Sequence, residues 1–500
     1  MEDLQTNLPP KLQAEADRLW DKAREVGLDM FTTVFEVVDY QQLNEIAAYG
    51  GFPTRYPHWR WGMEYESLSK SYTYGLSKIY EMVINNDPCY AYLLRSNMEV
   101  SQRMVIAHVY GHCDFFKNNF WFSRTNRKML DQMANDAAVV RSIVNDIGQT
   151  EVEDFIDVCL SLENLIDVHS VFRRSENQLT EKEKEDLARR NPSRLRSKKY
   201  MDHYINPQEY LEEQKKKIIE EAQRQSNIPE NPERDILQFL IEYAPMSTWQ
   251  RRIMEMIRSE SYYFAPQGQT KILNEGWASY WHSKMMTEID PVGPEGIIDY
   301  CCQHAGVVAS HPNQMNPYKL GIELLRHVEE RWDAGKHGVD YINCDDHKER
   351  ENWQGPAGAG AGRKKIFEVR RFHNDVTFLD QYLDEDFCHK TKMFIYDYDQ
   401  RSGEYIISSR DFRSIKQKLL QQITNLGAPI IEVVDGNFRN RGELLLQHKH
   451  DHQDLKQETT VETLKNLQKV WGRPVHIETI VDNTKRRLCF DGNTHSSEKI

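Results

Sequence analysis

The chain has 500 residues, of which 39% are hydrophobic, 11% aromatic and 28% charged. This length and aromatic content exclude a lone small module and a chain that is disordered throughout. The formal net charge of −13 argues against nonspecific nucleic-acid binding, because the neutralisation of phosphates needs an excess of basic residues.

The beginning of the chain and its cysteines favour a cytoplasmic location. No stretch approaches about 18 consecutive apolar residues, and the first residues lack the basic and apolar regions of a signal peptide. The 8 cysteines are spread along the chain without a Cys-x-x-Cys pair, so reduced thiols are expected. We therefore expect a cytoplasmic protein without membrane insertion, and the sequence leaves its oligomeric state open.

The predicted elements fall into two regions that together indicate an α+β fold. Helical patterns dominate residues 1–354, which predicts a mainly helical domain with a charged helical insertion at about 173–230. Residues 355–365 are rich in glycine and alanine and predict a flexible linker. β-Rich runs, the first at 366–372, then alternate with helical patterns and predict a smaller α/β domain over 366–500.

The spacing of two histidines inside the run MVIAHVYGHCDFF is the first indication of chemistry. On a helix, His108 and His112 share one face, and two adjacent imidazoles in an apolar helix need polar partners or a metal ion. His448 and His452 have the same spacing but lie among charged residues, where solvated histidines are the simpler interpretation. With 18 histidines, about one such pair is expected by chance, so the spacing alone does not decide.

A later helix is predicted to begin at Asn274 and to carry further polar side chains. Glu275, Ser279 and His282 lie at i, i+4 and i+7, so they share one stripe of this helix. Gly276 costs helix stability and is easier to explain if another helix or a ligand approaches closely there. In the structural interpretation, Glu275 only complements the dipole of an ordinary helix start.

Together the two helices match the ligand set of a zincin whose third ligand is a glutamate. His108 and His112 supply two nitrogen ligands and Glu275 supplies an oxygen, which leaves one coordination position open. This donor set favours zinc, with iron or manganese as alternative divalent ions.

One departure from the His-Glu-x-x-His pattern concerns the general base. In that pattern a glutamate follows the first histidine, whereas this chain has Val109 there. Glu260 and His282 are the candidates for the catalytic, proton-accepting role. For each of them, the alternative is a structural polar side chain.

Several long strings occur in order along the chain: PHWRWGM at 57–63, HVYGH at 108–112, YYFAP at 262–266, NEGWASYWH at 274–282 and NPYKLGIE at 316–323. In these strings the chain resembles the SpoVR family, bacterial proteins related to stage V sporulation protein R. The resemblance implies a role in spore cortex formation or in a stress response. It also implies partners, namely a PrkA-like serine kinase and a von Willebrand-A-like protein.

The sequence therefore predicts a metal-dependent hydrolase that acts on an amide or peptide bond. The alternative is a non-enzymatic regulatory or scaffold factor that works with the kinase system and keeps a degenerate or structural metal site. Val109 is the residue that favours this alternative. A third interpretation is an oxidoreductase that uses the same ligands with iron.

Overall fold

The structure is a computed structural model that describes residues 8–73, 81–172, 207, 228–309, 315–344, 346–351, 353, 358 and 360–500. Nearly all of the predicted charged insertion at 173–230 and part of the predicted linker at 355–365 lie outside these residues. Within the described ranges, no helix combines the length and the apolar character needed to cross a membrane.

The described residues up to 172 form helices and a small sheet. The helices are α1 (Pro10–Glu25), α2 (Tyr40–Ala48), α3 (Trp59–Thr73), α4 (Glu99–Asn118), α5 (Met129–Ile147) and α6 (Gln149–Ser161). The strands are β1 (Thr33–Val38), β2 (Glu81–Ile84) and β3 (Cys89–Leu94).

The described residues from 228 to 427 are mostly helical. The helices are α7 (Ile236–Tyr243), α8 (Thr248–Gln269), α9 (Lys271–Lys284), α10 (Ile297–Val307), α11 (Pro317–Asp333), α12 (Val339–Ile342), α13 (His347–Glu351), α14 (Ala361–Phe372), α15 (Asp375–Tyr382), α16 (Glu385–Thr391) and α17 (Phe412–Ile423). A π-helical turn, Met285–Ile289, extends α9. A hairpin of β4 (Ile395–Asp399) and β5 (Glu404–Ser409) precedes α17.

The remaining residues form strands around one helix. The strands are β6 (Ile431–Phe438), β7 (Glu443–His448), β8 (Val475–Val481), β9 (Thr484–Phe490) and β10 (His495–Lys499), and the helix is α18 (Gln457–Trp471). The fold class is therefore α+β, as the sequence predicts.

The chain forms two compact units, and each contains two segments of the sequence. The first unit comprises Met1–Glu153 and Tyr262–Gly427, and the second comprises Asp154–Ser261 and Ala428–Ile500. The predicted linker at 355–365 thus falls inside the first unit, where its last residues begin α14.

The run at 366–372, predicted as the first strand after the linker, is helical and forms most of α14. Ile366, Val369 and Arg370 are the buried side chains in this run. They lie at i, i+3 and i+4, which is the period of a helix buried on one face rather than the alternation of a strand. The prediction of a strand was wrong because it relied on the β-branched and aromatic residues of the run and not on this helical period.

A three-stranded sheet and three crossing helices form the part of the first unit that matters for function. The strand order is β1-β3-β2, with β1 parallel and β2 antiparallel to β3. Helix α9 packs against both α4 and α11. The buried side chains around these helices belong to one apolar core that also includes β1 and β3.

Glycines permit the two helix crossings. A Cβ atom on Gly111 of α4 would lie 2.7 Å from the Cα atom of Ala278 on α9. A Cβ atom on Gly276 of α9 would overlap the backbone of Gly321 on α11, and the reverse substitution would also clash with α9. The close approach predicted from Gly276 is therefore made by a neighbouring helix.

The second unit contains a five-stranded sheet with the order β10-β9-β8-β7-β6. Its neighbouring strands are antiparallel except for β7 and β8, which are parallel. Helix α18 makes the crossover between these two parallel strands and buries Leu464, Leu467 and Val470.

Candidate metal centre

Helix α4 places two imidazoles side by side in the interior of the first unit. His108 and His112 lie one helical turn apart and are both buried. Their Nε2 atoms are 3.0 Å apart, with the two rings nearly perpendicular. The two imidazole nitrogens of this helix therefore lie side by side, as the spacing of the histidines predicts.

Helix α9 adds a carboxylate to the two imidazoles because the glycine crossings hold it close to α4. Glu275 Oε2 lies 3.5 Å from the Nε2 atom of His108 and 3.4 Å from that of His112. Among the described residues, these three form a group of metal-ligating side chains whose donor atoms all lie within 4.8 Å of one another. Ligands at about 2.0–2.2 Å from a tetrahedral ion are separated by about 3.3–3.6 Å. The two distances from Glu275 fall in this range, and the 3.0 Å between the two imidazole nitrogens lies slightly below it.

Each imidazole is also held at its outer nitrogen. His112 Nδ1 is 2.9 Å from Asn274 Oδ1, and His108 Nδ1 is 2.9 Å from His282 Nδ1. Because an amide oxygen only accepts, His112 must donate from Nδ1, which leaves the lone pair of its Nε2 free for an ion. Hydrogen-bonded outer nitrogens of this kind are typical of histidines that bind metals.

A third imidazole extends the contacts of His108 outward. His282 Nε2 lies 2.9 Å from Nδ1 of His304 on α10. Burial, together with the nearby imidazoles of His108 and His304, lowers the pKa of His282 well below its usual value, so this ring is neutral. Both ring nitrogens of His282 thus contact other imidazoles, an arrangement that can orient His108. The proton-accepting role of His282 stays a prediction.

Glu275 and His112 shift each other's pKa when no ion is bound. Burial by itself raises the pKa of Glu275, but the adjacent imidazoles of His112 and His108 outweigh it and hold the pKa far below the usual range. Burial by itself lowers the pKa of His112, but the Glu275 carboxylate raises it above its ordinary value. The carboxylate is therefore ionised, as a metal ligand must be.

Two side chains that the sequence analysis did not single out lie beside this group. Glu81 begins β2, and its carboxylate interacts electrostatically with both imidazoles and with Glu275. The hydroxyl of Tyr318, at the start of α11, interacts electrostatically with Glu275, and its ring stacks on His108 with 6.2 Å between centroids. Tyr318 lies in the family string at 316–323, whereas Glu81 lies in none, and neither residue has a motif spacing to the histidines. Their place beside the group follows from the packing of α4 against the sheet and of α9 against α11.

Glu260, the other predicted proton acceptor, is a buried residue of α8 in the second unit. The group around His108 and His112 consists of residues from the first unit. The catalytic role of Glu260 stays a prediction.

Comparisons with known proteins place the chain in a family. The family described as SpoVR like protein matches residues 7–428, and the SpoVR-like C-terminal domain matches residues 429–482. The chain belongs to the SpoVR family. Over 489 residues it is 28% identical to the Uncharacterized protein YcgB of Escherichia coli (strain K12), which covers 93% of this chain and 90% of that protein. No solved structure matches the chain significantly.

The family division agrees with the change of unit near residue 428. The SpoVR region ends at residue 428, and the second segment of the first unit ends at Gly427. His108, His112 and Glu275 all lie inside the SpoVR region. The candidate metal centre is therefore part of the larger of the two family domains.

Proposed function

We propose that this SpoVR-family chain is a metal-dependent hydrolase that cleaves an amide or peptide bond. The observation that supports the proposal best is the set of 3.0–3.5 Å separations among the donor atoms of His108, His112 and Glu275. A divalent ion held there, zinc or alternatively iron or manganese, would polarise a carbonyl group and lower the pKa of a water molecule.

The composition of the donor set favours catalysis over a purely structural ion. Structural zinc sites are usually closed by four protein ligands, whereas catalytic sites keep three and leave one position for water or substrate. Among the described residues, the group around His108 contains three such ligands.

The cellular context follows from the family. We propose that the chain acts in the cytoplasm, in sporulation or in a stress response, beside a PrkA-like serine kinase and a von Willebrand-A-like protein. The acidic net charge of −13 supports a protein or small-molecule partner over nucleic acid.

The first experiment measures metal content and hydrolysis in the same preparation. The chain is produced with zinc supplied, its metals are quantified, and a mixture of peptides is incubated with it and analysed by mass spectrometry for new termini. We expect about one equivalent of a transition metal per chain. We also expect cleavage that stops after chelation and returns with the ion. A metal content below about 0.2 equivalents would contradict the proposal.

The second candidate function is a non-enzymatic regulatory or scaffold factor whose ion is structural. Val109, in the position of the usual general base, is the observation that favours it. Glu275→Gln separates the two functions. A variant that stays folded but loses hydrolysis supports chemistry, whereas a variant that loses its ion and its fold together supports a structural site.

A further inference from the structure

A cavity of the first unit lies beside the hairpin of β4 and β5. Its volume is about 880 Å³, which is within the usual range of ligand-binding clefts. The first turns of α11, the end of α16, strand β4 and helix α17 supply its walls. Its lining residues are distinct from His108, His112 and Glu275, so the cavity is a feature separate from the candidate metal centre.

The cavity has an apolar interior and an aromatic mouth. Leu320, Phe387 and Ile415 line it and are buried in the core of the first unit. Tyr398 and Tyr405 line it from the hairpin, with their ring centroids 5.2 Å apart, and are 56% and 45% exposed. Tyrosines that are half in water supply both apolar contact area and a polar tip to a binding partner. The mouth is therefore suited to a ligand that is partly apolar.

Strand β4 has a free edge beside this cavity. Within the described residues, β5 is the strand that pairs with β4, and the two form a sheet of their own. All residues from 391 to 398 line the cavity, so side chains from both faces of β4 border it, as expected of a cavity that follows the edge of a strand. In an antiparallel pair, alternate residues direct their N–H and C=O groups away from the partner strand. These groups can pair with an added strand.

The charge of the lining is positive although the chain as a whole is acidic. The lysines of the lining come from α11, the end of α16 and α17, and are Lys319, Lys392 and Lys418. Of the two lining carboxylates, Glu323 lies 3.3 Å from the guanidinium of Arg326, which leaves Asp397. Lys392 and Lys418 are exposed, and no carboxylate in the part of the chain that the structure describes pairs with them. The cavity therefore favours an anionic ligand.

The backbone at Lys392 indicates that its side chain has a use beyond the turn. Lys392 ends α16 with a φ of 54°, in the left-handed region that favours glycine at this position of a helix. The hydroxyl of Tyr396 donates a hydrogen bond to the carbonyl of Lys392 at 2.9 Å. Glycine would fill this position without strain, so the turn itself does not explain a lysine. Its ammonium group at the cavity does.

We propose that this cavity is a docking site for an extended, acidic peptide segment of a partner protein. The segment adds to the free edge of β4 as a third strand, so that its backbone hydrogen-bonds to the strand. Its apolar side chains enter the cavity, and its acidic side chains lie near Lys392 and Lys418. The proposal goes beyond hydrolysis and does not depend on it, because docking needs neither an ion nor a reaction.

The first test measures the binding of fluorescein-labelled octapeptides by fluorescence anisotropy. We expect saturable binding of a peptide that alternates glutamate and valine, weakened by added salt, and weaker binding of one that alternates lysine and valine. Two further peptides carry methyl groups on the backbone nitrogens of the glutamates or of the valines. Because an added strand pairs along one edge, one methylation pattern should weaken binding at least about tenfold and the other much less.

The second test replaces the lysines. Lys364→Glu is the matched control for Lys418→Glu, because Lys364 is also an exposed helical lysine of the first unit and does not line the cavity. Lys418→Glu should weaken the acidic peptide about fivefold or more, and Lys364→Glu should leave its affinity unchanged. Lys392→Gly removes the ammonium group and the backbone strain together. It should weaken the peptide without lowering the melting temperature, which a merely structural lysine would not do.

The outcomes separate this site from the other possible occupants and from the hydrolase proposal. Absence of saturable binding of the acidic peptide overturns the proposal, as does equal affinity of the two methylated peptides or of Lys418→Glu and Lys364→Glu. A dimer that Lys418→Glu dissociates would assign the cavity to a second copy of the chain. Octanoate that binds where the peptide does not would assign it to a small anion, and either result overturns the proposal. Binding without cleavage supports the docking site whatever becomes of the hydrolase function.

Discussion

The chain contains two pairs of histidines with the same spacing, and the structure gives them different surroundings. His108 and His112 lie on one face of α4, with their Nε2 atoms 3.0 Å apart. His448 is the last residue of β7 and contacts Thr479 on β8, at 2.8 Å between Nδ1 and Oγ1. His452 lies beyond the strand, is exposed and has a φ of 55°.

The comparison shows that an i, i+4 spacing brings side chains together only where the backbone is helical. At the end of a strand, four residues span about 13 Å, and the chain must turn back before the two rings can meet. Burial separates the pairs as well, because α4 excludes water from both of its histidines while His452 remains solvated. The apolar neighbours in the sequence therefore distinguish the pairs better than the spacing does.

The largest expected effect comes from removing one candidate metal-binding nitrogen of the pair His108 and His112. His112→Ala should reduce bound zinc from about one equivalent to below about 0.1, because one of three protein ligands is lost. The matched variant, His452→Ala, should keep the zinc of the wild-type protein. Metal analysis of both purified variants checks this, and equal zinc loss in the two would show that the exposed histidine also binds the ion.

The second prediction concerns the close crossing of α9 and α11, beside which Glu275 lies near His108 and His112. Gly276→Ala forces α9 and α11 apart and should lower the free energy of unfolding by about 1–3 kcal/mol or more. Gly306→Ala is the matched control on α10, because no atom lies within 4 Å of its Cβ position. That change should instead stabilise by about 0.5–1 kcal/mol.

Denaturant unfolding with metal analysis measures both effects. Gly276→Ala should also lower the zinc content, because Glu275 is the neighbouring residue on α9. If the two alanine variants are equally stable, the crossing tolerates a methyl group, and the position of Glu275 does not depend on the glycine.

Sequence patterns were sufficient to predict which three side chains lie together but not what surrounds them. His108, His112 and Glu275 carry signals in spacing, apolar context and family strings, and the structure brings these three together. Glu81 has no such signal, because its approach depends on how β2 packs against α4. His304 reaches His282 only because α10 returns to α9, and no periodicity within a single helix predicts that contact.

The change of unit near residue 428 was also not predictable from composition. The Gly/Ala segment is typical of a linker, yet its last residues begin α14, where Gly362 lies against the backbone of Glu329 on α11. Small residues permit both flexibility and close helix packing, and composition does not distinguish the two. The residues around Gly427 carry no comparable run of small side chains.

The third prediction concerns Asp375, which caps the helix that carries Glu275. Its carboxylate accepts hydrogen bonds from the backbone N–H groups of Ile272 and Leu273, both at 2.8 Å. Burial is the main cause that raises its pKa to about 7, although the two backbone hydrogen bonds lower it. Because the folded state holds this proton above the unfolded pKa of about 3.9, stability from this group falls as the pH rises from about 4 to 7.

Asp375→Asn should remove that dependence. The free energy of unfolding of the wild-type protein, minus that of the variant, should fall over this pH range by at most about 1.4 kcal/mol per pH unit. Asp491→Asn is the control, since Asp491 caps a turn in the second unit and is exposed. A difference between wild type and Asp375→Asn that does not change with pH would show that Asp375 stays ionised in the folded protein.

The smallest expected effect concerns the hydrogen bonds at the Nδ1 atoms, which differ between His108 of the first pair and His448 of the second. If an ion takes Nε2 of His108, the hydrogen of this ring is on Nδ1, so Nδ1 of His282 must accept it. The hydrogen of His282 is then on Nε2 and is donated to Nδ1 of His304. A single series of hydrogen bonds, each with a fixed direction, would thus connect His108 through His282 to His304 on α10.

His304→Ala removes the last acceptor of this series and should weaken zinc binding by up to about tenfold, measured by competition with a chelator. The equivalent change at the second pair is Thr479→Val, which removes the partner of His448 Nδ1 and should leave zinc affinity unchanged. If His282→Ala weakens zinc and His304→Ala does not, the orientation of His108 depends on His282 alone. The hydrogen of His282 Nε2 then needs no partner for the centre to hold its ion.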